Sequence, residues 1–124
     1  NKNTRIIKHS SAGHHEALVV KSNGDKDMLL HNNILIGLDP DTQYFSSEYK
    51  LEGQANMYIF TDGAFEITQG SDIMWTKEEF IELLSSLPFD SNDELNILLE
   101  HIKKIHGSDN LDDDFSMLKI KFLD

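Results

Sequence analysis

Apolar and polar positions along the chain predict short strands in the first half, then a central strand, two helices and a closing strand. Residues 5–9 open as a strand candidate, and Ser10-Ser11-Ala12-Gly13-His14-His15 is a tight, small-residue turn. Residues 17–21 form the next strand. Ser22-Asn23-Gly24-Asp25 then marks a hairpin, because Asn-Gly supports the positive φ angles of such turns, and residues 26–30 return as its second arm. Ile34-Leu35-Ile36 reads as a short strand that ends in the loop Gly37-Leu38-Asp39-Pro40. Residues 46–51 alternate, with Tyr49 and Leu51 on one face and Glu48 and Lys50 on the other.

The stretch from Asn56 to Glu66 organises the rest. β-rich residues 57–61 form a strand that runs into Asp62 and Gly63, after which the chain turns helical. Asp62 sits where the ladder ends, so its carboxylate projects from the rim of the sheet. Gly63 permits a sharp backbone turn beside it without a Cβ clash. Thr76 with Glu79 has the form of a capping box, and Phe80, Ile81, Leu83, Leu84 and Leu87 mark a helical face that stops at Pro88. Trp75 is expected to anchor that helix. Ser91 with Glu94 repeats the start signal, Leu95, Leu98, Leu99, Ile102 and Ile105 form a second stripe, and Gly107 ends it. Both helices are expected to cover a sheet. Asp112-Asp113-Asp114 precedes a half-buried strand over 115–122, where Leu118, Ile120 and Phe122 alternate with Lys119 and Lys121. If this strand and 57–61 are antiparallel neighbours, Asp62 and Asp113 fall at the same edge.

Composition narrows the function. The 124 residues suffice for one modest domain, and 39% hydrophobic with 27% charged residues is ordinary globular chemistry. Twenty-two acids against 11 bases give a formal charge of -11. That argues against nucleic acid or an anionic membrane as a partner, and it fits a site completed by divalent cations. No cysteine is present, which excludes disulfides, zinc-thiolate sites and thiol catalysis. No apolar run approaches the roughly 20 residues of a membrane span, and no signal-peptide core follows Asn1-Lys2-Asn3-Thr4-Arg5. A cytoplasmic location is the default expectation.

Two carboxylates converging on a rim suit Mg²⁺ or Mn²⁺, which prefer oxygen ligands and retain several waters. Taken alone, Asp62-Gly63 is also the composition of a simple turn, and Asp112-Asp113-Asp114 that of a solvated loop. An EF-hand fails, because Leu111 stands at the third position after Asp109 and no glycine at the sixth. His9, His14, His15 and His31 lack sharp ligand spacing, which disfavours zinc. His106 beside Gly107 reads as a helix-end residue that complements the dipole.

Four segments occur in order: Ser11-Ala12-Gly13-His14, Ile36-Gly37-Leu38, Tyr58 through Glu66, and Asp113-Asp114-Phe115-Ser116-Met117-Leu118. Together they resemble the C-terminal half of bacterial PP2C-type serine/threonine phosphatases, in the subgroup of SpoIIE and RsbU. The resemblance implies an α+β fold, a β-sandwich flanked by helices with a two-metal site at one end. This chain would supply its C-terminal portion of antiparallel strands and two amphipathic helices. Asp62 matches the metal-binding acid of the family's Thr-Asp-Gly motif, Gly63 the glycine beside the metal, and Asp113 the first acid of its Asp-Asp-x-Thr motif. The implied reaction is Mn²⁺- or Mg²⁺-dependent hydrolysis of phosphoserine or phosphothreonine. The implied partner is a phosphorylated regulatory protein of the anti-anti-sigma (STAS-domain) kind, whose dephosphorylation releases a sigma factor.

Departures from the pattern are Ser11 for asparagine, Leu35 for proline, Gln54 for aspartate and Ser116 for threonine. The family's early Asp-Gly motif has no counterpart, since Asp25 and Asp27 stand in the wrong context. The chain is therefore expected to be residues 1–124 of a partial domain. A half sandwich would expose apolar surface and strand edges, which favours dimerisation or strand exchange. The competing expectation is a non-catalytic interaction module with a truncated phosphatase fold. Retention of both Asp62 and Asp113 weighs against it, because binding alone needs neither.

Overall fold

A computed structural model describes residues 3–30, 32–69, 71–111 and 113–123 and realises most of the strand and helix signals of the sequence. Asp112 of the acidic run and His31 of the histidine group lie outside the described residues. The chain divides into two units, residues 1–57 with 120–124, and residues 58–119.

In the first unit, β1 (Ile6–His9) pairs antiparallel with β6 (Ser47–Lys50), Ile6 opposite Lys50 and His9 opposite Ser47. β3 (Ala17–Lys21) and β4 (Lys26–Leu29) form the hairpin expected from Asn23-Gly24, with Ala17 opposite Leu29 and Val20 opposite Lys26. Gly24 takes φ 91°, and the turn closes through Lys21 N to Asp25 O at 2.8 Å and Gly24 N to Lys21 O at 2.9 Å. Leu18, Val19, Val20, Leu29, Leu51, Ala55 and Met57 are buried. Asp27 on β4 accepts from the Tyr49 hydroxyl at 2.5 Å and pairs with Lys21 Nζ at 2.9 Å. The Tyr49 hydrogen bond, and then the Lys21 ammonium, hold the Asp27 carboxyl below its ordinary range. Burial, then the bond to Asp27, pushes the Tyr49 phenol up.

The strand expected at Ile34-Leu35-Ile36 does not form. A two-residue strand, β5 (Asn32–Asn33), instead pairs in parallel with β2 (Ser11–Ala12), inside the stretch expected to be all turn. The reason lies in Asn33. Its Nδ2 lies 3.0 Å from Ser11 O and 2.9 Å from Phe45 O, and its Oδ1 accepts from Phe45 N at 2.9 Å. That side chain ties the chain to the Phe45 backbone, and the apolar run beyond it is exposed, Ile36 at 78%.

In the second unit the expected helices are present. α1 (Lys77–Ser86) starts in a capping box: Thr76 Oγ1 accepts from Glu79 N, and Glu79 Oε2 accepts from Thr76 N at 2.9 Å. α2 (Glu94–His106) ends at Gly107, whose φ of 77° and N–H to Lys103 O at 2.9 Å close the last turn. The second capping box is not formed. Asp93 is the N-cap and makes no side-chain cap bond, while Glu94 is buried and paired with Lys119 Nζ. Lys119, expected on the solvent face, therefore turns inward and also donates to Ser91 O at 2.9 Å.

A further hairpin, β8 (Ile67–Gln69) with β9 (Asp72–Trp75), has no counterpart in the sequence reading; Ile67 faces Trp75 across a bulge. Trp75 is buried and meets Phe80 at 5.8 Å and the His101 ring at 5.0 Å, so it does anchor the helices. Phe60 and Phe80, with centroids 4.7 Å apart, complete an aromatic core with Phe65.

β7 (Ala55–Phe60) and β10 (Met117–Phe122) are hydrogen-bonded neighbours in a sheet of order β10-β7-β3-β4. The end of β7 meets the start of β10, since Thr61 N donates to Ser116 O at 3.0 Å, as antiparallel neighbours do. No helix among the described residues is long and apolar enough to cross a membrane.

Candidate functional site

The site is built where β7 ends. Tyr58 and Phe60 are fixed in the core, and Thr61 is still extended at φ −86°, ψ 164°. One turn of 3-10 helix then spans Asp62–Ala64, with Ala64 N donating to Thr61 O at 3.0 Å and Phe65 N to Asp62 O at 2.9 Å. The helical continuation expected after Gly63 is limited to that turn. Phe65 is drawn into the aromatic core, and the chain leaves as β8. Asp62 stays exposed while Gly63 and Ala64 are buried.

Gly63 avoids a Cβ clash, and the clash would be with the Asp113-Asp114 segment. It takes no left-handed φ. What it supplies is space: a Cβ there would lie 2.6 Å from Asp114 O and 3.4 Å from the Asp113 carbonyl carbon. The Asp113-Asp114 backbone thus lies directly against the glycine that follows Asp62. Gly63, Glu66, His106 and Asp113 line one small cavity of about 10 Å³, room for roughly one water.

The structure accordingly brings Asp62 and Asp113 into adjoining segments, as the strand argument expected. Each carboxylate is oriented by the N–H of the next residue: Gly63 N to Asp62 Oδ1 at 3.2 Å, Asp114 N to Asp113 Oδ1 at 2.7 Å. Thr61 Oγ1 donates to Asp114 O at 2.8 Å and accepts from Ser116 N at 3.0 Å. Sequence reasoning gave Thr61 and the Asp114 backbone no role. The available signal was a hydroxyl immediately before Asp62.

The donor chemistry fits a hard cation. Both acids are exposed oxygen donors on segments whose backbones meet at Gly63, and an ion held by two carboxylates keeps most of its waters. Among the described residues, no group of three or more His, Asp or Glu is arranged to hold a metal. His14 and His15 belong to the first unit, their ring centroids 4.6 Å apart and tilted by 52°.

Comparison with known proteins places this arrangement in context. The family profile described as stage II sporulation protein E (SpoIIE) matches residues 1–123. No curated protein sequence matches the chain. The SiaA-PP2C domain of Pseudomonas aeruginosa superposes with a TM-score of 0.78 at 18% identity, covering 96% of this chain and 47% of that one. The phosphatase domain of the cell fate determinant SpoIIE from Bacillus subtilis gives 0.72 at 10% identity, covering 100% and 55%. The RsbU and RsbW domains of Rv1364c from Mycobacterium tuberculosis give 0.68 at 19% identity, covering 94% and 32%. The fold is therefore the α+β PP2C fold, and the chain spans from a third to just over half the length of these structures.

Proposed function

The chain belongs to the stage II sporulation protein E family, and from that premise we propose that residues 1–124 are part of a metal-dependent phosphatase domain acting on phosphoserine or phosphothreonine. Asp62 and Asp113 are its catalytic metal ligands, and Gly63 is the residue beside the metal. The observation that carries this reading is the seating of the Asp113-Asp114 backbone over Gly63, which sets the two acids on adjoining segments.

The ion is Mn²⁺ or Mg²⁺; its all-oxygen donor set supports this, as does a Mn-presoaked structure of the Bacillus subtilis domain. When bound, such an ion supplies Lewis acidity toward a phosphoryl oxygen and lowers the pKa of a water. Asp62 and Asp113 hold and orient it, each with one carboxylate oxygen fixed by a backbone N–H. The substrate is a phosphorylated regulatory protein, of the STAS-type anti-anti-sigma class implied by the family resemblance, so that the reaction regulates a sigma factor in the cytoplasm. Self-association as a dimer completes the proposal; exposed apolar side chains at Ile36, Leu38 and Phe45 support it.

Phosphate release from a phosphoserine peptide tests the reading. The whole protein is expected to hydrolyse the peptide only with Mn²⁺ or Mg²⁺, and Asp62→Asn to abolish turnover without unfolding the chain. A folded whole protein that is inactive with either ion would instead make this a non-catalytic interaction module.

A further inference from the structure

We infer that the Thr61 hydroxyl is a positioning residue that sets Asp113 relative to Asp62; the inference rests on the metal-site reading above. A threonine hydroxyl has one proton to give and lone pairs to accept. Here the proton goes to Asp114 O at 2.8 Å. The other nearby oxygen, Ser116 O, is 3.5 Å away and already takes the Thr61 N–H at 3.0 Å. The hydroxyl oxygen in turn accepts from Ser116 N at 3.0 Å. One side chain thus grips both ends of the Asp114-to-Ser116 segment.

The grip reaches the carboxylates through single links. Asp114, held by its carbonyl, uses its N–H to orient Asp113 Oδ1 at 2.7 Å. On the other side, Thr61 is bonded to Asp62, and its carbonyl accepts from Ala64 N at 3.0 Å to start the turn that carries the acid. The β-branch limits Thr61 to few χ1 states, so its hydroxyl is aimed before any ion arrives. Serine would keep the two hydrogen bonds with less stiffness. Valine would keep the shape and the Thr61 N to Ser116 O bond while removing both hydroxyl bonds.

The test is Mn²⁺ affinity by calorimetry on the whole protein, with Thr61→Val, Thr61→Ser and Asp62→Asn beside the wild type, and amide hydrogen exchange on the metal-free proteins. Thr61→Val is expected to weaken Mn²⁺ binding about tenfold or more, as loss of an outer-shell partner does. It should also speed exchange at the Ser116 amide, and Thr61→Ser should restore most of both. A Thr61→Val protein that binds Mn²⁺ like the wild type, while Asp62→Asn has lost it, overturns the role of Thr61 alone. An Asp62→Asn protein that binds as well as the wild type overturns the site reading itself, and the role of Thr61 with it.

Discussion

Gly63 and Asp114 are in backbone contact: a methyl group placed on Gly63 would stand 2.6 Å from the Asp114 carbonyl oxygen. Backbone cannot rotate aside as a long side chain can, so one of the two segments must move to admit any larger residue.

Gly63→Ala is therefore expected to cost about 2 kcal/mol in stability and to weaken Mn²⁺ binding by displacing Asp113. Chemical denaturation and a Mn²⁺ titration on the same preparation check both. Wild-type affinity in a Gly63→Ala protein would show that the close approach has no part in the site.

The buried pair of Glu94 and Lys119 makes a second prediction. Glu94 is 1% exposed, and Lys119 reaches it from β10 across 25 residues of sequence. Glu94→Ala strands the ammonium and should cost about 3 kcal/mol or more, whereas Glu94→Leu with Lys119→Met should recover most of that loss. Urea denaturation of the three proteins decides. A neutral Glu94→Ala would contradict the pairing.

This pair also marks where the sequence stops being legible. Thr76 with Glu79 and Ser91 with Glu94 have the same spacing, yet only the first makes a capping box. Local pattern cannot see a partner as distant as Lys119, and a charge-assisted buried bond outweighs a cap worth about 1 kcal/mol. Likewise Ile34-Leu35-Ile36 has strand composition, but the side chain of Asn33 just before it bonds the Phe45 backbone and the run stays exposed. The β8–β9 hairpin was signalled only by short β-rich runs around Gly70-Ser71. What could be read was what is local or edge-defined: the Asn23-Gly24 turn, the Gly107 stop, and the meeting of the segments that carry Asp62 and Asp113, which follows from where two neighbouring strands end and begin. The space over Gly63 and the grip of Thr61 are three-dimensional and have no periodic signature.

The Tyr49–Asp27–Lys21 cluster predicts a pH dependence of stability. Asp27 is depressed, first by the Tyr49 hydrogen bond, so its contribution is present above the ordinary carboxylate range and is lost as pH falls below about 4. Tyr49 and Lys21 are raised, so theirs is present below their ordinary values and fades as pH climbs past about 10. Tyr49→Phe should lower the melting temperature at neutral pH, with the difference from wild type shrinking on acidification. Parallel melting curves from pH 2 to 7 (the span in which carboxylates titrate) test this. A difference that stays constant to the lowest pH would rule out Asp27 as its source.

The central claim is that Asp62 and Asp113 share one cation, and a double-mutant cycle on Mn²⁺ affinity tests it most directly. The wild type, Asp62→Asn, Asp113→Asn and the double variant are titrated under one set of conditions. If the two acids hold the same ion, each single change removes most of the affinity and the double loses clearly less than the sum of the two. If either single variant binds Mn²⁺ like the wild type, or the two losses simply add, the carboxylates do not act on a common ion and the account fails.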